Sequence, residues 1–401
     1  MENPAPAVNL LDLDLYADGP PHDLFTWLRN NEPVHWHPSD TLAAPGFWVI
    51  TKYWDVINIE RDAKLFSSAA RGALFEDPAE GTDLMLINQD PPQHTRLRNL
   101  VARAFTPRVM KALEPHIREA AGSIVDRVRE KGECDFVTDL AAELPLVVIC
   151  ELMGVPVEER HKVFDWSNRM IGHEDPEFGT SAEDGRVAAL ELYQYAQELA
   201  DDRKASPRDD IVTTLVTAEL DGEKLTDVEF NAFFLLLAVA GNETTRNLIS
   251  GGMLTLFEHP DQRALLESDL DAHLPGAVDE MLRYVSPVKY FRRTATADTE
   301  VRGVPIRSGD NVTLWYGAAN RDEEIFDDPQ TFDVTRSPNE HIAFGGRGPH
   351  YCLGVALAKL EIRVMFEEIL TRLPGLELAG EPSRLRSLLI NGIKHMPVRW
   401  A

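Results

Sequence analysis

A lone cysteine in a glycine-rich loop, directly before a helical pattern, constrains this chain more than any other feature. Residues 341–354 read H-I-A-F-G-G-R-G-P-H-Y-C-L-G, and an apolar run with helical spacing begins at Val355. Free N–H groups and the positive end of the helix dipole would face the sulfur of Cys352, which favours the thiolate. The glycines let the backbone come close to a flat ligand. A thiolate beside a large apolar cofactor is an axial ligand that haem iron uses, so the loop predicts a haem site.

Composition and charge exclude several other classes of protein. The chain has 401 residues, of which 44% are hydrophobic, and this is enough for a large core. Its cysteines, Cys134, Cys150 and Cys352, lie far apart in sequence, so we expect neither disulfides nor a zinc site. A formal charge of -26 argues against nucleic acid and anionic membranes as partners. We find no membrane-spanning run and no signal-peptide pattern, and we therefore expect a cytoplasmic protein with no membrane partner.

The cysteine loop resembles that of the cytochrome P-450 monooxygenases, which are haem-thiolate enzymes. The matching positions are Phe344, Gly348, His350, Cys352 and Gly354. Seven residues separate Phe344 from Cys352 where six are common, and this variant is similar to a subgroup that oxidises sterol side chains, branched lipids and terpenoids. The resemblance implies haem b (heme b), with Cys352 on the iron and with cofactor contacts from Phe344, Gly345, His350 and Gly354. A buried, inert cysteine is the alternative.

Residues 90–98 predict the start of a helix that presents two hydrogen-bond donors. Asp90 is the predicted N-cap, and Pro91 is the predicted first helical residue. His94 and Arg98 then lie four residues apart on one face, where they suit a carboxylate pair. The resemblance implies that both donate to a haem propionate and that Arg293 does so as well. An exposed polar helix face is the alternative.

Residues 233–246, F-F-L-L-L-A-V-A-G-N-E-T-T-R, predict a buried helix with a polar notch. Gly241 costs about 1 kcal/mol there relative to alanine, and a threonine hydroxyl can bond the carbonyl four residues earlier and bend the helix. The resemblance implies that the notch lies over the haem and holds O2. Ala240 and Gly241 then contact the cofactor, while Thr244 and Glu243 supply protons. A kinked core helix is the alternative.

Glu280 and Arg283 lie three residues apart on a predicted helix and can form an ion pair. Alone, this spacing is a weak signal, because most such pairs are solvated surface pairs. The resemblance implies that Arg336 joins the pair and that the three residues brace the fold around the haem. We therefore assign them a structural role.

The whole pattern predicts a mainly α-helical protein with a small β-rich region. Helical patterns fill residues 108–271, and strand patterns fall near residues 34–52, 291–316 and 385–400. No linker or repeat marks a boundary, so we expect one domain over residues 1–401. The resemblance implies the triangular cytochrome P-450 fold.

The predicted substrate pocket draws on three separate segments. The resemblance implies that its lining includes Leu86, Ile87, Val288, Tyr290 and Ile390. Residues 66–88 are irregular, and such a stretch is either a functional lid or a plain surface loop.

The resemblance implies a haem-thiolate monooxygenase that hydroxylates an apolar small molecule with O2 and two external electrons. A ferredoxin with its reductase is the expected donor, since the chain has no flavin or iron–sulfur segment. Basic residues on segments near Cys352 are expected to attract an acidic ferredoxin: Arg96, Arg103, Arg347, Lys359 and Arg363. Two rivals remain, a peroxide-driven hydroxylase and a haem protein that only binds gas; the Glu243–Thr244 pair argues against both.

Overall fold

Helices dominate the fold, as the periodic pattern predicts. The computed structural model of the protein describes residues 8–75, 82–178, 181–220 and 222–401. The α-helices are α1 His22–Asn31, α2 Tyr53–Arg61, α3 Gln93–Val101, α4 Pro107–Arg129, α5 Glu143–Leu152, α6 Arg160–Ile171, α7 Ala182–Ala205, α8 Ile211–Val216, α9 Asp227–Glu258, α10 Pro260–Ser268, α11 Leu270–Val285, α12 Tyr316–Ala319 and α13 Val355–Arg372.

The strands form one larger sheet and several small ones. They are β1 Val34–Pro38, β2 Gly46–Ile50, β3 Phe66–Ser67, β4 Glu133–Asp135, β5 Glu219–Leu220, β6 Glu223–Lys224, β7 Tyr290–Ala295, β8 Thr299–Val301, β9 Val304–Ile306, β10 Asn311–Trp315, β11 Glu377–Leu378, β12 Ser383–Arg384, β13 Ile393–His395 and β14 Pro397–Arg399. The larger sheet has the order β1-β2-β10-β7-β3, and its β2 and β10 are parallel. The predicted concentration of strands towards both ends of the chain is confirmed.

Helix α9 is the central element around which the other helices pack. Its N-terminus carries a capping box, in which the Thr226 side chain accepts from the Glu229 N–H and the Glu229 carboxylate accepts from the Thr226 N–H. Apolar residues surround most of the helix, and α5, α7, α11 and α13 pack against it. Helix α9 runs unbroken through Gly241. A Cβ at Gly241 would lie 2.7 Å from Ile149 Cδ1, so the glycine serves a close approach of α5.

The Glu280 brace ties α11 to the segment that leads into the cysteine loop. Glu280 Oε1 lies 2.7 Å from Arg283 Nη2, and both side chains are fully buried. Arg336 Nε reaches the same carboxylate at 3.2 Å, so the predicted three-residue group is present. Arg283 also donates to the carbonyl oxygens of Asn320 and Pro329, which fixes that part of the chain.

One local prediction about helix α3 is wrong. The helix begins at Gln93, and Asp90 does not cap it. The Asp90 carboxylate instead accepts from the Ser67 hydroxyl and from the Ser68 N–H, so it fastens the irregular stretch 66–88. The Asp90 carboxylate therefore bonds donors of Ser67 and Ser68 and not the backbone N–H groups at the start of α3. Residues 76–81 of that stretch lie outside the described residues.

Candidate active site

The cysteine loop places Cys352 at the start of α13, as predicted. Gly345 has a φ of 97°, a left-handed conformation that favours glycine, and it turns the chain back towards the helix. The Cys352 N–H then donates to the Phe344 carbonyl oxygen over 3.0 Å. This bond closes the loop despite the seven-residue spacing, and it keeps Phe344 beside the sulfur.

The thiol of Cys352 opens onto an internal cavity, which is why the residue is accessible although protein surrounds it. Burial raises the pKa of this thiol, while the Gly354 N–H and the Arg98 charge lower it. The predicted favouring of the thiolate is therefore wrong for the protein alone, because burial outweighs the two stabilising groups. A metal ion on the sulfur would remove the proton outright.

The cavity of about 260 Å³ brings most of the predicted site residues together. The predicted residues that line it are Leu86, Ile87, His94, Arg98, Ala240, Gly241, Thr244, Val288, Arg293, Phe344, Gly345, His350, Cys352 and Gly354. Much of the remaining wall is apolar, with contributions from Phe233, Leu236, Leu237, Leu248 and Phe291. Such a wall favours an apolar ligand, because it offers few partners for polar groups.

Helix α9 contributes two threonines, Thr244 and Thr245, to this largely apolar wall. The Thr244 hydroxyl donates to the Ala240 carbonyl oxygen over 2.8 Å, which is the predicted bond to the fourth residue back. Gly241 and Thr244 both line the cavity. The notch therefore lies in the cavity wall, within one continuous helix.

Glu243 is buried, but it is not among the described residues that line the cavity. Its Oε2 accepts from Arg246, three residues further along α9, and Arg246 also contacts Asn168 of α6. Its Oε1 has no hydrogen-bond partner among the described residues. Burial raises the pKa of Glu243, and the Arg246 charge opposes this effect. The carboxyl thus belongs to the residue before Thr244 but lies outside the described cavity lining.

Tyr290 and Ile390 do not line the cavity, so these two pocket predictions are wrong. Side chains alternate along β7, and Phe291 and Arg293 occupy the cavity face. Tyr290 therefore points the other way, where its ring lies 4.2 Å from the Phe75 ring. Ile390 pairs with Val288 through the backbone, and it is buried behind the wall that Val288 forms.

A buried polar cluster lies at one edge of the cavity. The His94 and His350 rings are 4.4 Å apart, and Arg98 and Arg293 line the same space. Burial lowers the pKa of His94 to about 4 and holds the pKa of His350 well below its usual range, so both rings are neutral near pH 7. Neither nitrogen of His94, nor Nε2 of His350, has a partner among the described residues. Buried donors without partners indicate a missing acceptor, and carboxylates suit two arginines and two imidazoles.

A haem fits this arrangement. It requires a sulfur on one side, open apolar space on the other and donors for two carboxylates at its rim. Cys352, the α9 wall and the cluster of His94, His350, Arg98 and Arg293 meet these three requirements. Cys134 and Cys150, the other cysteines, do not line the cavity.

Sequence reasoning missed three polar residues of the cavity wall. Glu60 of α2, Tyr316 of α12 and Glu361 of α13 all line it. Burial raises the pKa of Glu361 well above its usual range, and its Oε2 has no partner among the described residues. None of the three stands in a recognisable motif, and only the folding of distant segments brings them to the cavity.

Comparison with known proteins identifies the family. The cytochrome P-450 family model matches residues 161–377, and the chain belongs to this family. The chain is 45% identical to a steroid C26-monooxygenase of Rhodococcus jostii, over 97% of this chain and 84% of the other. It is 41% identical to a methyl-branched lipid omega-hydroxylase of Mycobacterium tuberculosis, over 100% of this chain and 96% of the other. A Mycobacterium marinum cytochrome P-450 structure in complex with pseudoionone has a TM-score of 0.92 at 36% identity and covers both chains fully.

The protein is accordingly a cytochrome P-450 monooxygenase with the fold of that family, and its cofactor is haem with a cysteine thiolate ligand. It uses O2 and an apolar substrate. Across the part of the chain that the structure describes, no helix combines the length and the apolar character needed to cross a membrane.

The predicted basic surface is more nearly neutral than the sequence indicated. Four of its five members are paired with acidic side chains: Arg96 with Glu229, Arg347 with Glu340, Lys359 with Asp279 and Arg363 with Glu114. Arg103 is exposed. In an acidic protein, most surface cations find a partner within their own chain.

Proposed function

We propose that the enzyme hydroxylates the side chain of a sterol, with methyl-branched lipids as the next substrate class and terpenoids after them. The main support for this proposal is the apolar wall of the cavity that Thr244 and Cys352 also line, because such a wall suits a hydrocarbon chain. The names of the two curated relatives support it. When bound, the haem supplies the activation of O2 and the insertion of one oxygen atom into a C–H bond.

Each group of the site has a proposed role towards the cofactor. Cys352 would ligate the iron, and His94, Arg98, Arg293 and His350 would hold the two propionates. Phe344, Gly345, Gly354, Ala240 and Gly241 would contact the ring. This assignment gives the N–H of the neutral His94 ring an acceptor.

The proton supply is assigned to two neighbouring residues of α9. The Thr244 hydroxyl lines the cavity, where it would hold and pass on a proton at Oγ1 once its bond to Ala240 is released. Glu243 precedes it in the chain, and burial raises the pKa of its carboxyl, so it would be the source of that proton. A change of Glu243 rotamer away from Arg246 opens this route. A general acid needs both a raised pKa and such a path.

The proposed electron donor is a ferredoxin with its reductase. Exposed Arg103 and the partly paired basic residues near it would attract an acidic ferredoxin, and salt would screen that attraction. Raising the ionic strength should slow the first reduction step in stopped-flow measurements, and Arg103→Glu should slow it further. Reduction that does not respond to salt contradicts this donor. We also infer a reducing compartment, the cytoplasm, because Cys134, Cys150 and Cys352 are all unpaired.

A spectroscopic titration tests the substrate proposal. The ferric protein is titrated with cholest-4-en-3-one, a methyl-branched fatty acid and a monoterpene alcohol while the Soret band is followed. The sterol should shift the spin state at the lowest concentration, and product should form with NADH, ferredoxin and reductase. A response to the monoterpene alone, or to none of the three, contradicts the proposed substrate class.

Two variants show whether binding occurs in the described cavity. Val288→Phe fills space in the wall and should weaken sterol binding by about tenfold, which corresponds to about 1.4 kcal/mol. Tyr290→Phe, at a residue that packs against Phe75 and does not line the cavity, should leave binding unchanged. Equal effects of both variants would place the ligand elsewhere.

A further inference from the structure

Glu60 is a buried carboxylate to which three segments bring hydrogen-bond donors. The Tyr316 hydroxyl of α12 donates to its Oε1 over 2.5 Å, and the Gly346 N–H of the cysteine loop donates to its Oε2. The Arg293 guanidinium of β7 lies 3.7 Å from Oε1. Glu60 itself is only 5% exposed and lines the cavity. One carboxylate thus joins α2, α12, β7 and the loop that bears Cys352.

The loop is also packed directly on the backbone of α2. A Cβ at Gly346 would lie 2.8 Å from Ile57 Cα, and a Cβ at Gly348 would overlap the Glu60 carbonyl oxygen. Side chains at these two loop positions would therefore push the loop away from α2. The contact between the loop and α2 is therefore maintained in two ways. The two glycines allow the close approach, and the Glu60 carboxylate accepts a hydrogen bond from the loop.

The groups around the Glu60 carboxylate favour its role as a hydrogen-bond acceptor. Burial and the Glu60 carboxylate raise the pKa of Tyr316 well above its usual range, so the phenol keeps its proton and donates it. Arg293 supplies the opposite charge on the cavity side. Because hydrogen bonds to buried charged groups are strong, the loop position depends on this carboxylate.

We propose that Glu60 is a positioning residue for the haem: its carboxylate fixes the Cys352 loop and orients Arg293 towards the space that the cofactor occupies. This role goes beyond the proposed substrate and does not depend on it. Glu60 acts through the loop and through Arg293, and it forms no bond to the iron or to the substrate. Groups that orient metal ligands in this way commonly change metal affinity by roughly 10- to 100-fold.

The test compares haem retention in Glu60→Ala and Glu60→Gln with the wild type. Haem loss to excess apomyoglobin should be on the order of tenfold faster in Glu60→Ala. The fraction of the reduced CO complex with the thiolate-type Soret band should fall as well. Glu60→Gln should lie between the two, because its amide oxygen can still accept from Gly346 while its NH2 group opposes Arg293.

Asp322→Ala is the matched control, because Asp322 is a buried carboxylate that anchors the opposite end of α2. Asp322 accepts from Lys52 Nζ over 2.8 Å and from the Tyr53 N–H over 2.9 Å, and it does not line the cavity. This variant should lower the melting temperature while it retains haem and the thiolate-type band.

Two results would overturn the proposal. One is a rate of haem loss and a CO band in Glu60→Ala that match those of the wild type; if the alanine variant gives no soluble protein, Glu60→Gln takes its place. The other is a rate of haem loss in Asp322→Ala as high as in Glu60→Ala, which would show that anchoring α2 in general matters, and not Glu60.

Discussion

The Thr244 hydroxyl lies 2.8 Å from the Ala240 carbonyl oxygen, in the wall of the cavity onto which Cys352 opens. The bond holds the hydroxyl at the notch, and it is weak enough to be exchanged when a better acceptor enters. Thr244 therefore presents a hydroxyl of α9 that can serve the oxygen side of the reaction.

Thr244→Val should separate electron use from product formation. The variant keeps the side-chain shape but loses the hydroxyl, so product formation should fall on the order of 10²-fold while NADH is still consumed. Thr255→Val is the control, since Thr255 makes the same bond to Gly251 over 2.8 Å in the same helix and does not line the cavity. Tight coupling of NADH to product in Thr244→Val contradicts the assigned role.

Glu243→Gln should slow turnover without loss of haem. Removing the acid leaves the helix and the Arg246 contact surface in place but removes the transferable proton, so turnover should fall by about 10²-fold. Haem content, the CO band and substrate binding should match the wild type. Unchanged turnover with normal haem content would show that protons reach the cavity by another route.

Arg283→Ala should destabilise the fold severely. It leaves the fully buried Glu280 carboxylate without its main partner, which costs about 3–5 kcal/mol. Arg186→Ala breaks an ion pair of the same three-residue spacing on the surface, with Glu183 at 2.8 Å, and should cost less than about 1 kcal/mol. Urea unfolding followed by circular dichroism compares the two. Similar midpoints for both variants would contradict the bracing role.

The His395 cluster should make stability depend on pH. Hydrogen bonds that His395 donates to the Glu177 carboxylate and to the Asp135 carboxylate raise the pKa of His395 above its ordinary value of 6.5. Protonation is therefore favoured in the folded state, and this stabilisation is complete below pH 6.5 and lost as pH rises through the raised pKa. The melting temperature difference between wild type and His395→Gln should be largest in acid and should shrink in alkali. A difference that grows with pH would contradict the assignment.

The sequence predicted the site well where a residue type and its spacing carry the chemistry themselves. Cys352, Thr244 and the pair of His94 and Arg98 stand in short local patterns whose spacing already implies a shared loop or helix face. The helical middle of the chain was predicted on the same ground, because its periodicity is local.

The errors came from relationships that only the tertiary structure sets. Val288 lies just before β7 and lines the cavity, whereas Tyr290, the first residue of β7, does not, and only the path of the folded chain separates them. Asp90 has the residue type of a helix cap, but its carboxylate accepts hydrogen bonds from Ser67 and Ser68 instead. Glu60 carries no motif at all, since its significance comes from three donors far away in sequence. The assignment of residues 1–401 to one domain stays a prediction.

The most direct test of the account is the CO difference spectrum of the reduced protein and of its three cysteine variants. The wild type should give the long-wavelength Soret band that a thiolate-ligated haem produces. Cys352→Ser should lose this band, whereas Cys134→Ser and Cys150→Ser should keep it, because neither of these cysteines lines the cavity. Persistence of the band in Cys352→Ser, or its absence from the wild type, would contradict the assignment of Cys352 as the haem ligand.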